Sequence, residues 1–207
     1  MTAMYTPSRL YTEPDTLHRL PITELSDSRL IGMHGFAQTG KDTVAAILAD
    51  HGYKKVAFAS PIVQALITLN PIVSVDNRGR TLRFNDLLEM EGYEEAKKTL
   101  EFRRLLQVFG TEVGRELLGE NIWVDIAKKK IAPAGRFIIT DVRFANEVKM
   151  VKTVGGTLIK IVRPGYTPVN GHKSDSGLPD SLFDLVLVND GTLEDLRRKV
   201  VASVVGY

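Results

Sequence analysis

The residues Gly35-Phe36-Ala37-Gln38-Thr39-Gly40-Lys41-Asp42-Thr43 come within one position of the pattern G-x-x-x-x-G-K-[ST]. That pattern has a definite chemistry. Glycines let a tight turn aim backbone N–H groups at phosphate oxygens. A helix opening at the turn adds the positive end of its dipole. The lysine reaches the outer phosphates of a nucleotide. The departure lies at the last position, where a hydroxyl ordinarily ligates Mg2+. Here Asp42 follows Lys41, and the hydroxyl arrives one residue late, at Thr43. An aspartate could bind the ion directly or through water, or Thr43 could supply the missing hydroxyl; the residues leave both readings open.

A second group lies in "FIITDVRFANE". Asp141 ends an apolar run that reads as a strand, and the ends of parallel strands are where ligands bind. An acid there suits Mg2+ or its water shell. Arg143, two residues on, shares a face with Asp141 while the chain stays extended. A third group is the polar stripe Arg104, Gln107, Thr111 and Arg115, spaced as one helix face provided that Gly110 and Gly114 do not break the helix. Arginine offers bidentate phosphate binding and glutamine an amide for a base edge; a plain solvated face is the other reading. Opposite it, Phe102, Leu105, Leu106, Phe109 and Val113 form a core stripe. Trp123, with Val124 and Ile126 beside it, reads first as core or domain contact and second as a ligand-stacking ring.

These groups need a scaffold. "RLIGMHG" reads as a buried strand and "KDTVAAILADHG" as the helix after the loop. "YKKVAFA" is a second strand, and "SPIVQALITL" a helix with Ser60 as N-cap and Pro61 at its first position. The β-α-β-α opening predicts a parallel sheet covered by helices. Residues from about 70 to 131 are turn-rich at first and then helical. Alternation then resumes with strands in "RFIIT", "TLIKIVR" and "LFDLVLVND" and a closing helix capped by Thr192. That makes about five strands with a helical insertion between the second and third. The stretch 163–180, holding His172, Lys173 and Asp175, is long enough to be a lid. Residues 1–28 read as an extension outside the core fold.

Composition narrows the classes. At 207 residues the chain suits one domain with a small insertion. A formal charge of +2 argues against stable nucleic-acid binding as its main task. The absence of cysteine excludes disulfides and thiolate metal sites. No apolar run reaches the ~20 residues of a membrane helix, and the first residues lack an apolar signal core, so a cytoplasmic location is expected.

Taken in order, "GFAQTGKDTVA", "VAFASPIVQAL", "RRLLQVFGTEVGRE", a following Trp, "TDVRFANE", "IVRPG", a lid His and "LVNDGTLEDL" resemble bacteriophage-type deoxynucleoside monophosphate kinases over roughly residues 29–200. "GKDT", odd by the general rule, is usual in that family, and "LLQ-x-x-GTE" with "DVRF-x-NE" is its more specific mark. The resemblance implies a three-layer α/β P-loop kinase fold over 29–207. Its parts would be a mostly parallel five-stranded sheet, a monophosphate-binding insertion at about 70–131 and a lid at about 163–180. It implies transfer of the γ-phosphate of ATP, with Mg2+, to a deoxynucleoside monophosphate, in the host cytoplasm if phage-encoded. A homodimer is compatible with it.

By the same resemblance, Gly35, Ala37, Gln38, Thr39, Gly40, Lys41, Asp42 and Thr43 bind ATP, with Arg163, Asn189 and Gly191 near its base. Ala59, Ser60, Arg104, Gln107, Thr111, Arg115, Trp123 and Arg143 fall on the monophosphate side. Lys41, Arg104, Asp141 and Arg143 carry the catalytic expectation, and Asp42, Thr43 and Asp141 the metal one. Three alternatives stand beside it: a dephospho-coenzyme A kinase-like enzyme, a nucleotide-binding module without turnover, and a nucleic-acid accessory protein. Acceptor-dependent ADP release separates the kinases from the module, and steeply salt-dependent DNA binding would mark the last.

Overall fold

A computed structural model describes residues 28–131, 134–166 and 177–206. The expected extension up to residue 27 and the lid residues His172, Lys173 and Asp175 lie outside the described residues.

Five strands form the main sheet: β1 (Leu30–His34), β2 (Tyr53–Val56), β5 (Arg136–Ile139), β6 (Thr157–Val162) and β7 (Leu185–Val188). Their order is β2-β5-β1-β6-β7, and every pairing is parallel. Parallel strands need crossovers, and helices supply them. The loop after β1 leads to α1 (Lys41–Asp50), and β2 leads to α2 (Ser60–Leu69). After β5 comes α6 (Ala145–Thr153), and after β7 comes α7 (Leu193–Val200). All strand C-termini therefore face one edge, and the loops that leave that edge carry the site.

Alternation along the strands sends side chains into two cores. Ile31, Met33, Ile138, Ile159 and Ile161 meet α1 and α7 through Val44, Ile47, Leu48, Leu196 and Val200. Leu30, Phe137, Ile139 and Leu158 meet α2, α6 and the insertion through Ile62, Leu66, Val148, Val151, Phe102 and Trp123. The result is three layers. Each fully buried side chain of this size contributes about 1.5–3 kcal/mol, so the sheet has stabilisation on both faces. Gly32 shows how closely they approach: a Cβ there would come within 2.9–3.1 Å of Leu158, Val151 and Val142.

Several local expectations change. The turn-rich stretch after α2 is a two-stranded antiparallel hairpin, β3 (Ile72–Val75) and β4 (Thr81–Arg83). Asp76 closes its turn by accepting from the backbone N–H groups of Arg78 and Arg80. Ser60 does not cap α2; the cap position falls on Ala59, with no side-chain cap from the helix's own sequence. Thr192 caps α7 as expected, accepting from the Asp195 amide.

The insertion continues with α3 (Phe84–Ala96), kinked at Gly92 (φ 75°), and α4 (Leu100–Val108). α4 runs without a break into a π-helical segment, Phe109–Leu118, and then to α5 (Ile122–Lys130). Gly110 and Gly114 both lie inside that π segment, and Trp123 engages each in a different way. The indole Nε1–H donates to the Gly110 carbonyl at 2.7 Å. A Cβ at Gly114 would meet the ring at 2.2–2.7 Å. Among the described residues no helix is long and apolar enough to cross a membrane.

This packing makes a graded prediction. Gly114→Ala drives a methyl into a buried ring, an overpacking cost of about 1–3 kcal/mol. That exceeds the roughly 1 kcal/mol that alanine gains over glycine in a helix. Gly110→Ala meets only the flexible Ile62 Cδ1, at 3.0 Å, and is expected near neutral. Urea midpoints give the ranking, and equal midpoints for the two variants would remove this account of the glycines.

Candidate functional site

The loop between β1 and α1 is shaped by contacts that only these residues allow. Gly40 adopts φ 103°, and a Cβ there would meet the Asn189 side-chain nitrogen at 2.6 Å. That nitrogen donates to the Thr39 carbonyl at 3.0 Å, tying the loop to the turn after β7. Gly35 leaves no room for a side chain, since a Cβ would lie 2.5 Å from the Ile161 carbonyl oxygen. Gln38 takes a left-handed φ of 63°, and Thr39, 1% exposed, donates from its hydroxyl to the Phe36 carbonyl. Lys41 lies back over the loop, its ammonium donating to the Gly35 and Phe36 carbonyls at 2.6 and 2.5 Å. Burial, and then the charge of Arg143, pull the Lys41 pKa down to about 8. A cation held where charge is unwelcome, beside a second cation, is an anion site. Arg163 Nη1 stands 3.5 Å from the Gln38 carbonyl, at the outer limit of a hydrogen bond, and its guanidinium lies 4.9 Å over the Tyr166 ring. Gly191 sits in the turn that Asn189 begins, against Asp195.

Beyond β5 the chain stays extended, and it is stitched on both sides. Thr140 N donates to the Val56 carbonyl and Val142 N to the Met33 carbonyl. Val142 is buried against Gly32, which leaves Asp141 and Arg143 on the other face. Asp141 accepts from the backbone N–H groups of Phe58 and Ala59 at 2.9 Å each. Its carboxylate thus ties down the turn that leads into α2, binding amides that precede Ser60. Desolvation raises the Asp141 pKa, against those two amides and Arg143. His34, the last residue of β1, is buried, with Nδ1 2.8 Å from the Val142 carbonyl and its ring stacked on Phe183. Burial lowers its pKa, so the neutral ring donates through Nδ1.

The expected stripe on the insertion does not stay together. An i→i+5 helix turns less per residue than an α-helix, so the π segment rotates Arg115 away from Arg104. Arg104 is exposed and chelated by Glu101, with both contacts at 2.7 Å. Gln107 and Thr111 are half-buried. Arg115 is withdrawn into a buried ion pair with Glu147. Breaking one partner of such a pair costs about 3–5 kcal/mol, so Arg115 is held in the fold and is not offered to a ligand. Trp123, expected on the substrate side, is 4% exposed with its N–H bonded within the insertion; it is core. Ala59 presents its amide to Asp141, and Ser60 is exposed beside it.

Other residues stand where the sequence drew no attention. Tyr93 and Lys97, on and just after α3, share the field of the loop: Lys97 acts on Lys41 and Asp42, and burial together with Asp141 lifts the Tyr93 pKa to about 12. Lys97 Nζ lies 4.7 Å over the Tyr93 ring, and Arg103, not Arg104, reaches back to the Lys97 carbonyl. Tyr93 and Lys97 are i,i+4 neighbours, but their approach to the phosphate loop depends on how α3 packs, which leaves no local signal.

Among the described residues no cluster of three or more His, Asp or Glu could hold a metal ion unaided. Asp42, 71% exposed at its side chain, pairs with Lys55 at 2.5 Å, which holds its carboxyl below the usual range. Both Asp141 oxygens accept amides. Thr43, in the first turn of α1, has no hydrogen-bonded partner among the described residues. The donor set fits an ion whose remaining ligands come from phosphate and water.

Comparison with known proteins follows the same direction. A family model described as deoxynucleotide monophosphate kinase matches residues 90–200. A putative deoxynucleotide monophosphate kinase of Acanthamoeba polyphaga mimivirus is 30% identical over 198 residues, 84% of this chain and 95% of that protein. The deoxynucleoside-5'-monophosphate kinase of Escherichia phage T5 is 27% identical, over 84% of this chain and 94% of its own. The deoxynucleotide monophosphate kinase of Escherichia phage RB69 is 33% identical over 53% of this chain, which matches 47% of that longer protein.

The lysine makes a signed prediction. Its folded pKa of about 8 lies below its ordinary 10.5, so the unfolded chain binds the proton more tightly. The stability associated with this shift is present above pH 10.5 and is lost as pH falls through 8. Lys41→Met is therefore expected to gain on the wild type by about 1–3 kcal/mol at pH 7 relative to pH 10.5, after discounting partial exposure. Urea unfolding at both pH values measures it; an unchanged difference between the proteins would show that Lys41 is not desolvated.

Proposed function

This chain belongs to the deoxynucleotide monophosphate kinase family, and from that premise we propose how its residues divide the transfer of the ATP γ-phosphoryl group to a deoxynucleoside monophosphate. An acceptor phosphate oxygen attacks the γ-phosphorus in line. The bond to the β-bridging oxygen breaks, and ADP leaves with its electron pair. With a second phosphate pKa near 6, the acceptor is already ionised at neutral pH and needs no strong base. That agrees with an Asp141 carboxylate engaged by two amides. In this reading Asp141 positions the start of α2 and its Ala59–Ser60 edge.

The observation that carries the reading is Lys41 folded over the phosphate loop with Arg143 beside it. ATP phosphates would exchange the Gly35 and Phe36 carbonyls for stronger partners and restore full charge to Lys41. Arg143 would bridge the transferring group and the acceptor. Arg104, itself exposed, can turn from Glu101 to the acceptor phosphate, with Gln107 facing the base and Tyr93 and Lys97 bounding that side. Arg163 and the Asn189–Gly191 turn would border the ATP base. Mg2+ would supply neutralisation of the β and γ phosphates, and Thr43, with its hydroxyl unengaged, would hold it in preference to Asp42. The setting we propose is the cytoplasm, where the nucleotides of DNA synthesis are made.

A coupled assay of ATP against each deoxynucleoside monophosphate, with ribonucleotide controls, should show acceptor-dependent ADP release. Lys41→Ala should abolish transfer, by about 10²-fold or more, with the fold intact; turnover within about tenfold of wild type would sink the assignment. The metal assignment has its own readout. Thr43→Ala should raise the Mg2+ concentration needed for half-maximal rate by about tenfold, and Asp42→Asn should leave it nearly unchanged. The reverse order would transfer the role to Asp42.

A further inference from the structure

The peptide plane between Val142 and Arg143 is gripped at both ends. Its carbonyl accepts from His34 Nδ1 at 2.8 Å, and its N–H donates to Glu147 Oε2 at 2.7 Å. The same Oε2 accepts from the Phe144 N–H at 3.1 Å. The other oxygen, Oε1, takes Arg115 Nη2 from the π segment. Arg115 is fixed in turn: its guanidinium carbon lies 3.9 Å over the Phe144 ring, and Nη1 donates to the Glu120 carbonyl at 3.1 Å and to Asn146 Oδ1 at 3.3 Å. Asn146 closes the ring by donating to the Glu120 carbonyl and Asn121 Oδ1. Glu147 is 2% exposed and the Arg115 side chain 9%.

We infer that Arg115 and Glu147 are positioning residues that set the direction of Arg143, and that they couple the insertion to the phosphate site through that one peptide plane. The inference rests on the reading of Arg143 as a phosphate-binding residue. Orientation of the plane sets where the Arg143 side chain starts. A displacement on the order of 1 Å at a charge-bearing group can cost about 10²-fold in rate. The Phe144 contact is the ordinary helix cap; the contact to the Arg143 amide reaches one residue beyond that cap, and it joins the insertion to the peptide that carries Arg143.

The test is a double-mutant cycle on the full chain. Arg115→Met/Glu147→Leu replaces the pair by apolar groups, an exchange buried pairs often tolerate, but leaves the Arg143 amide without its acceptor. Its kcat is expected to fall by about tenfold or more, with KM for ATP within about twofold because the phosphate loop makes none of these contacts. Arg115→Met/Glu147→Gln returns an acceptor oxygen and should recover most of kcat. Arg143→Ala, added to the leucine background, should cost far less than it does in wild type. Should the leucine variant fail to fold, Arg115→Met/Glu147→Met, which also removes the acceptor and strands no buried charge, takes its place in the cycle, with the same non-additivity expected. A silent Arg143→Ala in wild type would overturn the reading of Arg143. A damaging Arg143→Ala whose cost is undiminished in the variant background would overturn the positioning role and leave that reading intact.

Discussion

A carboxylate taken out of water must find donors inside the fold, and Glu147 is where this chain meets that demand. Burial pushes its carboxyl up to about 7, and the amides of Arg143 and Phe144 and the guanidinium of Arg115 oppose that shift. The donors come from different parts of the chain, so satisfying them fixes more than one element at once. α6 begins where Glu147 can cap it. The π segment docks where Arg115 can reach across Phe144. Trp123 can pack against Gly114 and bond the Gly110 carbonyl because the segment that carries them is held in this position. If the acid were exposed, the insertion would rest on the core through apolar contact, which is weakly directional, and a few neutral hydrogen bonds such as those of Asn146 and Asn85; the charged contacts tighten its register.

The same logic runs along the whole C-terminal edge of the sheet. Each loop there is held by a neighbour: Asp141 by the amides of the β2–α2 loop, Val142 by His34, Thr39 by Asn189. The Gly35 backbone is pressed against Ile161, where no side chain fits. Loops stitched in this way are organised before any phosphate arrives. Preorganised donors are worth more than flexible ones, because no reorganisation is required when charge moves in the reaction. The parallel sheet brings the loops to one edge, and the cross-loop bonds make them one surface.

What was legible in the sequence follows from this division. The strands and the helices α1, α2, α6 and α7 announce themselves by local pattern, because their apolar periodicity and caps lie within a few residues. The phosphate loop is also local, so Gly35, Gly40 and Lys41 could be placed with confidence in their geometry. The rest depends on partners far apart in sequence. The spacing of Arg104, Gln107, Thr111 and Arg115 promises one face only if the helix keeps its period, and the π segment, wrapped under Trp123, changes it. Asp141 reads as a metal ligand from its place at a strand end; the two amides, more than 80 positions away, that its oxygens accept leave no local trace. The hairpin at β3–β4 was read as turns because its strands are short and largely exposed on both sides.

The edge also explains an imbalance in the free protein. Lys41 is desolvated, Arg143 and Lys97 add like charge nearby, and the loop carbonyls offer Lys41 dipoles in place of an anion. Asp42 offsets part of this charge but is also engaged by Lys55. Asp141 acts on Lys41 more weakly and is shared with two amides. Repulsion of this kind raises the free energy of the unliganded state, and a phosphate chain removes it on binding. By linkage, whatever binds only the folded state stabilises it in proportion to that affinity. Stability withheld from the empty site thus becomes binding free energy, directed at a ligand with several negative charges close together and indifferent to one without them.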